Sequence, residues 1–226
     1  MNMTIIAIAL VGMVLQGIFI SREHAEKYIQ ADLFKGLAAC CFVIIGIMGY
    51  LSVSTDSFGV KIMIGLIFGM IGDIVMNLRF VLKKNGQKAF LLGILAFLIG
   101  HVLYLAALIP LSSHLLISII IGGVLAAALL TYIFCTMEVK IAFKIFGVFY
   151  LGAVIIMTVI ALDLAIFMPS AANIMYAVGA VLFTASDIVL IFNTFSGVTR
   201  FPLRITNLSL YYLGQLLIAG SLFFVR

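Results

Sequence analysis

A chain of 226 residues that is 65% hydrophobic and 9% charged is unlike a soluble domain, which is nearer half apolar and a quarter charged. Its net charge of +5 would point to nucleic acid only if the basic residues gathered on one soluble face, and they are instead spread over connectors between apolar runs. A soluble enzyme and a nucleic-acid-binding module are excluded on these grounds, and a bilayer is the natural solvent.

In chain order, apolar windows of about 20 residues, the length that crosses a hydrocarbon core, fall at 3–20, 33–53, 60–79, 89–109, 114–134, 141–162, 171–193 and 205–225. The first has no Lys or Arg before its apolar run and is longer than a signal-peptide core, so it reads as a retained helix. After it, SREHAEKYIQAD is a charged connector, STDSFG is turn-like, and KKNGQK holds an Asn-Gly turn signal. Pro110, Pro169 and Pro202 fall at helix ends, where a missing N–H does least harm. The short connections around Pro110 and Pro169 force antiparallel neighbours. Cys40, Cys41 and Cys135 lie within or at the end of apolar runs without metal-ligand spacing and read as buried thiols. His24 and His114 read as exposed loop or edge residues. The expectation is an all-α polytopic membrane bundle of eight transmembrane helices forming one integral domain, residues 1–226.

Orientation follows from the basic residues. Connections one–two, three–four, five–six and seven–eight, with their helix edges, carry Arg22, Lys27, Lys35, Arg79, Lys83, Lys84, Lys88, Lys140, Lys144, Arg200 and Arg204, leaving only Lys61 and Arg226 of the 13 Lys and Arg for the other side. The basic connections should face the cytoplasm and both termini should face outward, in a cell membrane whose compact protein suggests a bacterial inner membrane.

The stretch LIFGMIGDIVMNLRF, residues 66–80, is echoed by VLFTASDIVLIFNTF, residues 181–195. Asp-Ile-Val occurs at 73–75 and again at 187–189, an offset of 114 residues, and the same offset takes Gly65 to Gly179, Gly100 to Gly214, Leu103 to Leu217 and His101 to Gln215. Four helices followed by four like them make a parallel repeat, and membrane proteins often place a site where repeats meet. The third and seventh helices would then bring their carboxyl groups toward each other.

An Asp at a membrane helix centre costs about 2.5–3.5 kcal/mol on the insertion scale, so Asp73 and Asp187 should not face lipid. Each lies six residues from a polar helix edge, Arg79 or Asn193, or about 9 Å in at 1.5 Å per residue. His101 and Gln215 lie deeper. Asn77 is four residues from Asp73, Tyr104 three from His101, and Tyr211 and Tyr212 four and three from Gln215, so each shares a helix face with a polar neighbour. Ser186 adjoins Asp187. Singly, Asn77, Ser186, Asn193 and Gln215 are explained as well by interhelical hydrogen bonds. Lys35 can snorkel, reach a phosphate or pair with one Asp.

Two carboxyl groups in a low-dielectric site divide naturally into one that keeps a proton and one that stays anionic. Acid-catalysed opening of an acetal-like centre uses that division, and so does proton-coupled transport. Spacing alone leaves both open, together with a non-enzymatic lipid-binding role in which the acids only tie helices together.

GLIFGMIGDIVMNL, GILAFLIGHVLYLAAL, AVLFTASDIVLIFNTF and LYYLGQLLIAGSL, in that order, resemble the successive motifs of the YhhN-like lysoplasmalogenase family. The resemblance implies about eight helices and hydrolysis of the vinyl ether of a lysoplasmalogen to a fatty aldehyde and a glycerophospho-alcohol. The partners it implies are the lysophospholipid substrate and membrane lipid; no metal is expected, since no His, Cys or Asp cluster has ligand spacing, and no cofactor is expected. Asp73 and Asp187 fall on the family's intramembrane acids, His101 and Tyr104 on its fourth-helix His and Tyr, and Tyr212 and Gln215 on its last-helix Tyr and Gln. Lys35 falls near a family Lys usually followed by Pro, where this chain has Gly36. Gly69 stands where a small hydroxyl residue is usual.

Overall fold

The computed structural model describes residues 3–52 and 57–225, so the first half of the STDSFG turn signal lies outside the described residues and the second half opens a helix. Within them run eight helices: α1 (Met3–His24), α2 (Tyr28–Ser52), α3 (Ser57–Asn77), α4 (Gly86–Leu108), α5 (Leu115–Thr136), α6 (Ile141–Phe167), α7 (Ala171–Phe195) and α8 (Phe201–Ser221). Each is long and apolar enough to cross a membrane, and no strand occurs among the described residues. The chain is a polytopic all-α bundle.

Several helices outrun the apolar windows. Lipid demands only the apolar stretch, whereas backbone hydrogen bonding continues while the sequence tolerates it. SREHAEKYIQAD is therefore helix at both ends, broken only around Ala25–Lys27, and α6 continues to Phe167 rather than stopping at 162. The Asn-Gly signal does not make a hairpin-like turn. Lys83–Asn85 is a 3-10 turn, and Gly86 opens α4 in the right-handed region at φ −57°. A side chain there would run into the Arg79 carbonyl, so this glycine serves close packing, not left-handed backbone. The glycine that does need its freedom is Gly197, at φ +81° between α7 and α8. Ser170 caps α7, its hydroxyl accepting from the Asn173 amide at 3.1 Å, and Pro202 sits in the first turn of α8.

Six helices close a ring in the order α2, α3, α4, α6, α7, α8 and back to α2, with α1 outside against α2 and α8 and α5 outside against α6. A shift of four helices maps this packing onto itself: α1–α2 onto α5–α6, α2–α3 onto α6–α7, α3–α4 onto α7–α8, and α8–α2 onto α4–α6. The glycines of the repeat do the same work twice. A Cβ on Gly65 would lie 3.1 Å from the Gly100 carbonyl oxygen, and one on Gly179 would lie 2.8 Å from that of Gly214. Both helix pairs cross backbone to backbone, as small residues permit in membranes.

The symmetry breaks at the outer helices. Gln16 of α1 donates to the Leu208 carbonyl at 3.3 Å, and Arg204 of α8 makes a two-pronged pair with Glu23 at 2.7 and 2.8 Å. α5 packs on α6 and makes no comparable contact with α4; its Tyr132 ring lies 6.1 Å from the Phe192 ring of α7.

The dry core sits away from the basic end, around Phe42, Ile62, Leu66, Met157, Ile160, Leu164 and Ile218. Ile117, Ile120, Val124 and Leu125 of α5 point outward, as a lipid-facing helix requires. At the end opposite the basic loops, Asp163 accepts from Ser112 at 2.9 Å and meets His114 at 3.0 Å, so His114 is half-buried and paired. Of the three thiols only Cys41 is buried; Cys135 is exposed near the end of α5. The apolar run that seemed to bury Cys135 belongs to a peripheral helix whose outer face meets lipid.

Candidate functional site

The ring surrounds a partly open cavity of about 110 Å³ toward the basic end of the bundle, and both Asp73 and Asp187 line it. Around them stand Lys35 from α2, Asn77 from α3, Phe97 from α4, Tyr150 from α6, Ser186 from α7 and Tyr211 from α8. Arg79 and Arg204 sit at its basic end, one turn or more outward from the acids.

The two carboxyl groups keep different company. Asp73 accepts a hydrogen bond from the Tyr211 hydroxyl at 2.7 Å and pairs with the Lys35 ammonium at 3.3 Å. Lys35 is buried, and its ammonium lies 4.5 Å from the Tyr211 ring and 5.0 Å from the Phe19 ring. Those rings offer a cation what water would otherwise supply. Asp187 accepts from the Tyr150 hydroxyl at 2.7 Å, and among the described residues no cation lies within ion-pair distance of it.

Behind Asp73 runs a chain of polar groups. Tyr104 donates to the Gln215 carbonyl oxygen at 3.4 Å, Gln215 donates to the Tyr211 hydroxyl at 3.4 Å, and Tyr211 donates to Asp73. Gly69 is what lets this happen: a Cβ there would lie 2.9 Å from the Gln215 amide nitrogen, so even a small side chain would push the amide away. His101 stands behind the wall. Its Nδ1 faces the Phe97 carbonyl at 2.8 Å, which places the proton on Nδ1 and leaves Nε2 without a protein partner. Its ring packs edge-on against Tyr104, Tyr150 and Phe183. It thus buttresses the tyrosine that holds Asp187.

The remaining sequence-based candidates divide. Asn77 lines the cavity and faces Asp32 of α2. Ser186 lines it while accepting from Asn207, at 3.0 Å on its hydroxyl and 2.9 Å on its carbonyl. Tyr212 points the other way and donates to the Ala38 carbonyl at 3.0 Å, tying α8 to α2. Asn193 accepts from the Arg200 backbone amide at 2.7 Å and pins the α7–α8 connection. Neither Tyr212 nor Asn193 lines the cavity.

Sequence reasoning overlooked Tyr150, yet two signals pointed to it. It lies six residues past Lys144, a depth that matches Asp187, and the repeat offset carries the Lys35–Gly36 neighbourhood onto Phe149–Tyr150. The second half of the repeat therefore supplies a phenol where the first supplies an ammonium. Arg79 belongs to the basic rim that the sequence sets at one end of the bundle. Its guanidinium is held between the Phe80 and Phe90 rings, 4.6 and 4.4 Å from their centres, and no carboxylate pairs with it among the described residues. Arg204, by contrast, is already engaged by Glu23 and by Asn207 at 3.3 Å. No three His, Cys, Asp or Glu side chains gather as metal ligands would among the described residues.

Fold and cavity together define a multi-pass membrane protein that encloses a pair of acids at the junction of two repeats. The model of the YhhN family matches residues 30–222, from α2 to the end of α8, and the chain belongs to that family. No curated protein and no solved structure matches it.

Proposed function

We propose that this protein hydrolyses the vinyl ether bond of lysoplasmalogens, with Asp187 as the acid and Asp73 as the anionic partner. The observation that carries the reading is the unlike company of two carboxyl groups on one cavity wall. Asp73 has an ammonium at 3.3 Å as a partner for negative charge. Asp187 has only a neutral phenol beside it and is the group suited to carry a proton. The substrate class rests on the family resemblance.

Asp187 gives its proton to the outer carbon of the enol ether, and the electron pair of the double bond forms the new C–H bond. The carbon next to oxygen becomes an oxocarbenium ion, which the Asp73 carboxylate stabilises across the cavity. Water adds to that carbon and gives up a proton to the Asp187 carboxylate, restoring the acid. The resulting hemiacetal collapses: its hydroxyl proton passes to the ether oxygen, the C–O bond breaks, and an aldehyde and an alcohol leave. Tyr150 and Tyr211 hold the two carboxyl groups in place, and Gln215 and Tyr104 support Tyr211. Because Lys35 is committed to Asp73, the phosphate falls to Arg79, with Arg204 beside it. In this reading the basic end is cytoplasmic and both termini lie outside, in a bacterial inner membrane.

The test is aldehyde release from lysoplasmalogen by purified protein in detergent, comparing the wild type with Asp73→Asn and Asp187→Asn. Both variants should lose turnover. Full activity in both would end the mechanism. Absence of aldehyde from the wild type, with proton flux that depends on both acids in vesicles, would replace hydrolysis by transport.

A further inference from the structure

We infer that the seam between α4 and α6 is the lateral portal through which the substrate's hydrocarbon chain leaves the cavity for the membrane, with Gly147 as its sill. The inference deepens the proposed reaction and rests on it for the identity of the amphiphile. Its first support is volume. A buried cavity of about 150 Å³ takes a single benzene, so the 110 Å³ here can hold the reacting end of the lipid but not a long chain. The chain must pass between helices.

The repeat then sets seams side by side for comparison. Of the three pairs of ring seams that it relates, one joins α8–α2 to α4–α6. The first is sealed from outside by α1 through Gln16 on Leu208 and Glu23 on Arg204. The second has no such cover, because α5 packs on α6 with no contact on α4 comparable to that of α1 on α8. The cavity lining agrees. Ile94 of α4 and Phe143 and Gly147 of α6 line the cavity and are partly exposed at the same time, as are Ile191, Thr194 and Phe195 of α7 beside them, so the wall on this side reaches the outer surface. A Cβ added to Gly147 would meet no atom within 4 Å, so open space lies over this turn of α6. Phe143 frames the gap, 5.3 Å from Phe90 of α4 and 5.7 Å from Phe195 of α7. At the basic end the seam is tied by Lys140 donating to Gln87 at 3.4 Å, which leaves the opening at membrane depth. The occupant is the hydrocarbon chain of a single-chain lipid whose phosphate meets Arg79.

The portal is tested without turnover by a lysophosphatidylethanolamine carrying a photoreactive diazirine midway along its acyl chain, a lipid with no vinyl ether. Irradiation of the wild-type protein, followed by peptide mapping, should label α4 and α6 around Ile94 and Gly147. Excess unlabelled lysolipid should remove that labelling, as it would not remove bulk lipid contact. Gly147→Phe and, separately, Ile94→Trp should each cut it several-fold. Labelling centred on α2 and α8, labelling spread evenly over lipid-facing helices, or undiminished labelling in both variants would overturn the portal. A second arm uses lysoplasmalogens of increasing chain length. A closed pocket separates substrates by about 10-fold or more per methylene, whereas a chain resting in lipid should give nearly constant kcat/KM beyond the first few carbons. Since the labelling needs no hydrolysis, its result stands apart from that of the aldehyde assay.

Discussion

Asp73 and Asp187 occupy matching places in the two halves of the chain, yet one half surrounds its acid with charge and the other does not. Around Asp73 are the Lys35 ammonium and a tyrosine backed by Gln215 and Tyr104. Around Asp187 are the Tyr150 phenol and, behind it, the His101 ring. At the repeat-equivalent positions of α4 and α8, Phe97 stands for Tyr211 and His101 for Gln215. A duplicated scaffold explains why two carboxyl groups meet in one cavity. Divergence of their neighbours explains why one carboxyl group has an ammonium beside it and the other a phenol.

The largest effect should come from attacking that difference directly. Asp73→Asn should abolish aldehyde release and also lower the melting temperature in detergent, because it strands the buried Lys35 ammonium; breaking a buried pair from one side costs about 3–5 kcal/mol. The double variant Lys35→Met, Asp73→Asn should recover the melting temperature but not the turnover. Next, Asp187→Asn should reduce kcat by about 10²–10⁴-fold, the usual contribution of a general acid, with little change in melting, since no cation is left bare. Equal destabilisation by the two Asn substitutions would erase the asymmetry.

Smaller effects sharpen it. Tyr150→Phe and Tyr211→Phe each remove one hydrogen bond to a carboxyl group; a bond to a charged group is worth about 1.5–3 kcal/mol, so Tyr211→Phe should have the larger effect on melting, read by thermal denaturation. Gly65→Ala and Gly179→Ala test the scaffold on both sides of the repeat. Each should destabilise by about 1–3 kcal/mol, as overpacking does, and by similar amounts if the helix crossings are equivalent. The smallest change is expected from Arg79→Gln, which should raise KM about tenfold with kcat nearly unchanged, a loss of about 1.4 kcal/mol of substrate binding.

Much of this architecture was legible in the residues. Eight apolar windows became eight helices, because a segment of that length in hydrocarbon has few alternatives to a helix. The offset that joins Gly65 to Gly179 and Gly100 to Gly214 reappears as two equivalent backbone crossings. The site was legible only in part. Asp73 and Asp187 stood out because a charge in lipid demands a reason. Tyr150 did not, because a tyrosine in an apolar run is usually an anchor or core. Tyr212 and Asn193 were drawn in by spacing, and each turned out to satisfy a backbone group elsewhere. Cys135 looked buried because hydropathy does not separate a helix in the ring from one leaning on its outside.

The sequence by itself determined the number of helices, the end at which positive charge collects and the register of the repeat, since each follows from the cost of placing polar groups in hydrocarbon. Only the tertiary structure decided which acid has a cation beside it, which tyrosine reaches which carboxyl group and which seam of the ring is left without cover. Those choices depend on where a side chain points around its helix and on which helix comes next in the ring, and hydropathy carries neither.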